Sequence, residues 1–189
     1  MRAKNMKSII EILIARIAFW LGYGCRSITT NRNQFARGIQ KINMLLAEAP
    51  HDILETPGSI KPQPGLTPTM LNWSVYMTIE HTDRVHVEIL HLIESLERGE
   101  YPTLGDISRF DTVGPAGPDI MEHFFEHAKQ IEALPHRLPL TSRNRVHHRI
   151  FGSLKSRGLY AAVAMHLWTH VTQIEAILNK HGQKFSRDE

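Results

Sequence analysis

Apolar residues recur along this chain at spacings of three and four, the period of an α-helix. No alternating run of strand length stands out, and no segment repeats another. Five stretches carry the helical period. In the first, Ile9, Ile10, Leu13, Ile17 and Trp20/Leu21 form a stripe, with Glu11 and Arg16 off it. This predicts an amphipathic helix over residues 6 to 22, with Ile10, Leu13, Ile17 and Leu21 packed on the rest of the chain or on a second copy. The second stretch carries Phe35, Ile39, Ile42, Leu45 and Leu46, capped by Asn31 or Asn33 and stopped at Pro50. Prolines and glycines between His51 and Thr67 mark a loop. Thr67-Pro68 then reads as the start of a third helix, threonine capping and proline in the first turn. That helix runs to Arg98 and Gly99 with Val75, His81, Val85, Ile89, Leu92 and Leu96 near one seam. After a second loop from Tyr101 to Pro118, Asp119 caps a fourth helix with Ile120, Phe124, Ala128, Ile131 and Leu134 inward, broken by Pro135 to Pro139. The fifth runs from about Ser156 to Lys180 on a stripe of Leu159, Val163, Ile174 and Ile177, and stops at Gly182. The expectation is an all-α fold, four main helices plus an additional N-terminal helix. Its parts are an N-terminal amphipathic helix (1–30), a helical bundle (31–182) and a short tail (183–189).

Composition narrows the class without changing the fold. The chain has 189 residues, 42% hydrophobic and 22% charged, which suits one globular domain with a sizeable core. A net charge of +3, with no long basic run interleaved with aromatics, argues against a nucleic-acid partner. The single cysteine, Cys25, excludes an intramolecular disulfide and a cysteine-based zinc cluster, and fits a cytoplasmic location. Glu11 and Arg16 interrupt the N-terminal apolar run, which is too short and too charged to span a bilayer. No integral membrane association is therefore expected.

Histidine is where the chemistry concentrates. His166 and His170 lie four residues apart, so both rings point to one face, and that face is the apolar stripe of the last helix. Two basic rings on a core-facing seam need a partner, because burying them unpaired is costly. A divalent metal ion held by both, with His81 from a facing helix as third ligand, meets that need. The alternative is a set of buried, hydrogen-bonded histidines without metal. Three neutral imidazoles suit zinc foremost, with nickel, iron or manganese as further possibilities, and they leave at least one position for water or substrate. That is the open arrangement of a catalytic metal rather than the closed one of a structural metal. Zinc in such a site lowers the pKa of its water to ~7, or it can bind and activate a thiolate.

Other groups rank lower. His123 and His127 form a second i, i+4 pair, but beside Glu126 and Gln130 on what reads as a solvated flank. Asp83 and Glu80 adjoin His81 and could orient a ligand or move protons, though such charges usually face water. A di-iron bundle wants two Glu-x2-His motifs within its helices, and only Glu88-Ile-Leu-His91 lies within one, since Glu48-Ala-Pro-His51 straddles the break at Pro50. Residues 143–149, Arg-Asn-Arg-Val-His-His-Arg, read as a solvated basic connector, with anion or thiol-cofactor contact as the sharper alternative. Trp73 and Trp168 read as core. No phosphate loop, nucleophile elbow or His-Glu-x2-His motif occurs.

Two segments resemble a known family. Trp73-Ser-Val-Tyr-Met-Thr-Ile-Glu-His81 is similar to the Trp-Ser-x6-His signature of the DinB-like metalloprotein superfamily. His148-Arg-Ile-Phe-Gly-Ser-Leu154, followed by His166-x3-His170-Val-Thr-Gln-Ile174, resembles that family's C-terminal pattern. By element order the resemblance covers residues 33 to 180. It implies a four-helix bundle whose open end holds a divalent metal, with His81, His166 and His170 as ligands. It also implies metal-dependent hydrolysis of a small-molecule substrate, or transfer of a low-molecular-weight thiol to an electrophile. A non-catalytic metal-binding, dimerising stress-response protein is the alternative, and a homodimer is the expected assembly. The chain departs from the pattern at Lys155, where the family often has a capping Thr or Ser, and in its extra N-terminal helix.

Overall fold

The computed structural model describes residues 12–103 and 113–182, and within them the chain is mostly helical. Residues 12–19 form α1, which runs on into a π-helical turn, Trp20–Gly24. Then follow α2 (Ile28–Glu48), the short α3 (His51–Glu55), a 3-10 turn (Met70–Asn72), α4 (Val75–Glu97), α5 (Ile120–Arg137) and α6 (Ser156–Lys180). Between α5 and α6 a small antiparallel hairpin pairs β1 (Val146–His148) with β2 (Gly152–Leu154). No alternating pattern announces this hairpin. Its strands are three residues each, and Gly152 at φ 80° supplies the turn geometry instead.

Two helix starts differ from expectation, and in each a serine is the cap. Ser27 Oγ accepts from the amide of Thr30 (3.0 Å) and opens α2 before Asn31 is reached. Asn31 lies inside the helix, buried, and its Nδ2 donates to the Tyr23 carbonyl (3.1 Å), tying α2 to the turn after α1. The helix expected at Thr67-Pro68 begins only after Ser74, whose Oγ accepts from the Met77 amide (3.2 Å). The residues between carry the 3-10 turn and an extended Trp73. Spacing alone cannot choose between Thr67 and Ser74, because both precede the same apolar seam. At Asp119 the side chain makes no capping bond. The break expected at Pro135 falls two residues later, since proline in the last turn of α5 removes one amide bond without ending the helix. Gly99 (φ 85°) and Gly182 (φ 82°) stand just past α4 and α6 as expected.

The core lies where α6 packs against α2 and α4, with α5 laid against α4 and α2. Phe35, Ile42 and Leu45 of α2, Ile79, Ile93 and Leu96 of α4, Phe124, Ile131 and Leu134 of α5, and Leu159, Val163, Ile174 and Ile177 of α6 are all buried in one cluster. Trp73 is buried as well, and the half-buried Trp168 donates from Nε1 to the Gln34 carbonyl (2.8 Å), joining α6 to α2.

α1 is turned the other way from the expected stripe. Leu13, Ile17 and Leu21 are exposed, Leu21 at 75%, while Phe19 on the opposite side is fully buried. Ile10 lies outside the described residues. Phe19 stacks on Phe151 (centroids 4.5 Å apart), and Arg16 donates from Nε to the Ile150 carbonyl (3.1 Å). A stripe count cannot anticipate this, because apolar residues occupy several sides of this helix and one aromatic contact with the hairpin decides its rotation. No helix among the described residues is long and apolar enough to cross a membrane.

Candidate metal centre

The facing of α4 and α6 brings His81 against His166 and His170. Ser74 sets the start of α4, which places His81 in its second turn, below Trp73, whose ring centroid is 5.1 Å away. From α6, His166 and His170 project one turn apart toward the same point. The Nε2 atoms of His81 and His166 lie 3.3 Å apart, those of His166 and His170 3.1 Å apart. Each ring offers one nitrogen, and the three nitrogens all lie within 4.8 Å of one another. His81 and His170 are buried, at 3% and 1% exposure, and His166 is half-buried.

The protons can be placed. Gln173 Nε2 donates to the Met70 carbonyl (2.8 Å), which turns its Oε1 toward His170 Nδ1 at 2.7 Å. An amide oxygen only accepts, so His170 carries its proton on Nδ1 and presents a bare lone pair at Nε2. That lone pair faces His166 Nε2, which in turn faces His81 Nε2. One proton on His166 can serve only one of these two neighbours. Three converging nitrogens are therefore better satisfied by a cation than by hydrogen bonds among themselves.

Burial also keeps the two rings of α6 neutral. It pulls His170 down to about 3, helped by the neighbouring His81, although the bond to Gln173 opposes the shift. It pulls His166 well below its ordinary value, with His170, His81, His86 and His148 adding to the effect in that order. Neutral imidazole is the form that ligates. Nitrogens ~2.0–2.1 Å from a tetrahedral zinc stand about 3.3 Å from each other, close to the two Nε2 separations here. The residues therefore fit a divalent metal.

Two neighbours of the trio were not singled out from the sequence. Gln173 orients His170, a role that its place in the C-terminal pattern and its position three residues along the same face do not by themselves assign. His86 is buried beside His166 (ring centroids 5.5 Å), is held down to about 3 by burial and by His81, and has no hydrogen-bond partner at Nε2. It sits five residues after His81, a spacing that signals nothing until α6 is in place.

The remaining candidates separate cleanly. His123 is exposed as expected, but His127 is not simply solvated: its Nδ1 is 2.8 Å from Asp83 Oδ1. Asp83 thus serves the α4–α5 contact, and Glu80 lies 3.8 Å from Arg84. His148 accepts from the amides of Ile150 (3.1 Å) and Phe151 (3.2 Å) at Nδ1, which fixes its proton on Nε2. Its ring stacks on Phe151 (4.6 Å), which also stacks on Phe19, so the hairpin and α1 adjoin. Cys25 is a free, exposed thiol. No family model matches this sequence, and no curated protein does either.

Proposed function

We propose that residues 31–182 are a DinB-like four-helix bundle, built from α2, α4, α5 and α6, that binds a divalent metal on His81, His166 and His170. Residues 1–30 and 183–189 are its appended helix and tail. The observation that carries the reading is the convergence of three imidazoles, with His170 locked by Gln173 in the ligating tautomer. Zinc is the foremost metal, ahead of nickel, iron or manganese. When bound, such an ion supplies Lewis acidity at an open position, lowering the pKa of a water or thiol there. The chain's own part is to hold the three ligands, keep them unprotonated and shield them from bulk water. The protein acts on a small molecule, by metal-dependent hydrolysis or by transfer of a low-molecular-weight thiol.

One observation favours the thiol. Arg145 and Arg149 flank the strand that carries His148, and His148 is one of the groups whose charge depresses His166. Cytosolic thiols carry carboxylates that such a surface would hold. The alternative, a non-catalytic metal-binding and dimerising stress-response protein, has the same ligands and no turnover.

The test is metal analysis of the purified full-length protein, followed by esterase and thiol-transfer assays of the metallated form. His170→Ala should lose most of the bound metal and keep its helical circular dichroism, because a core of this size does not depend on the ion to fold. Failure of the wild type to hold zinc, nickel, iron or manganese would remove the reading. Collapse of the fold on chelation would make the metal structural, and a metal-replete protein inert in both assays would favour the non-catalytic alternative.

A further inference from the structure

We infer that His86 is a positioning residue for the metal centre, its Nε2 accepting the Nδ1 proton of His166 directly or through one water molecule. The inference rests on the metal-binding reading above and extends it to a group outside the three ligands.

A histidine that ligates through one ring nitrogen carries its proton on the other, and that proton is almost always given to an acceptor that fixes the ring. His170 follows this rule through Gln173. His166 meets the cluster through Nε2, so its proton belongs on Nδ1. That Nδ1 is buried and has no hydrogen-bond partner. Leaving a buried donor without an acceptor is costly, so the position calls for one. The adjoining ring of His86, T-shaped to His166 at 65°, offers another buried and unpartnered nitrogen, Nε2. With His86 as the Nδ1–H tautomer, the two atoms are donor and acceptor on rings already in contact. His86 also meets Phe35 of α2 (centroids 5.6 Å, tilted 51°), which limits where its ring can turn. Of the other ring side chains with a buried unpartnered atom, Tyr160 and His181, neither makes a ring contact with His166 among the described residues. α4 would then supply both a ligand, His81, and the group that aims the ligand opposite it.

If His86 only filled space, an apolar replacement would leave metal binding alone. The test is zinc affinity by competition with a chromophoric chelator, on full-length wild type, His86→Leu and His86→Gln. Long-range 1H–15N correlation spectra of the histidine rings of the zinc-loaded wild type accompany it. Removing an outer hydrogen-bond partner of a ligand typically costs ~10–100-fold in affinity. His86→Leu should show that loss with unchanged circular dichroism, and His86→Gln, which keeps an acceptor oxygen, should recover most of it. In the wild type His166 should be protonated on Nδ1, and His86 on Nδ1 with a bare Nε2. Equal affinity of wild type and His86→Leu, or equal loss in Leu and Gln variants, would overturn the inference while leaving the metal site standing. If His86→Leu fails to fold, the wild-type tautomers decide: a protonated His86 Nε2 would overturn it. A wild type that takes up no zinc would bring down the metal reading itself.

Discussion

At the scale of single residues, burying several imidazoles makes stability depend on pH in a direction that can be worked out. His86 and His170 are held down to about 3 in the folded chain, against ~6.5 for an exposed histidine. Below pH ~6.5 the unfolded chain therefore takes up protons that the folded chain refuses until much lower pH. The unfolded state binds more protons in that window, so stability rises with pH across it, is complete above the unfolded value and falls as pH drops. At pH 5.5 each of the two should cost roughly 1.4 kcal/mol relative to neutral pH. Asp83 works in the opposite sense, because burial raises its carboxyl and favours the protonated folded form. The metal-free protein should accordingly unfold at lower urea concentration at pH 5.5 than at pH 7.5. A midpoint unchanged or higher at pH 5.5 would contradict the burial of these rings.

At the scale of elements, the close approach of α2 and α6 sets how the last helix presents its histidines. Gly38 of α2 makes that approach possible: a Cβ there would stand 2.7 Å from Leu167 Cδ2 and 3.1 Å from its Cγ. Leu167 is fully buried and adjoins His166, so it has little room to retreat. A larger residue at 38 would gain up to ~1 kcal/mol of helix propensity. Against that stands an overpacking cost of typically ~1–3 kcal/mol, higher for a branched side chain in a closed site. Gly38→Val should therefore destabilise the protein in urea denaturation, and by displacing Leu167 it should also weaken zinc binding. A variant as stable as wild type, with unchanged affinity, would show that α2 and α6 do not meet closely at this point.

At the scale of the whole molecule, α1 is attached by one face and leaves the other uncovered. Phe19 and Arg16 hold it to the hairpin, while Leu13, Ile14, Ile17 and Leu21 are at least half exposed. Soluble monomers seldom tolerate a contiguous apolar surface of this kind, which supports the proposal that a second copy of the chain covers it. Light scattering on full-length protein should find a dimer that dissociates on dilution, and Ile17→Gln with Leu21→Gln should shift it to monomer without loss of helicity. Wild type that stays monomeric at high concentration would remove the dimer. Binding of the wild type to lipid vesicles in place of self-association would make α1 an interfacial helix instead.

Much of this protein was legible in the order of its residues. The helical class follows from local period, because side chains three and four apart share a face whatever surrounds them. The pairing of His166 with His170 is local in the same way, and the packing of α4 on α6 brings His81, expected as their partner, within reach of both. What the order of residues could not decide is everything that depends on two distant segments meeting. Ser27 and Ser74 win as caps because the chain packs against the turns before them. Phe19 is buried because Phe151 lies over it, and His127 meets Asp83 because α5 lies on α4. His86 becomes part of the centre only because α6 brings His166 beside it. Helical periodicity is a property of neighbours along the chain, whereas orientation, capping choice and the outer partners of a ligand are settled by contacts between residues far apart in sequence.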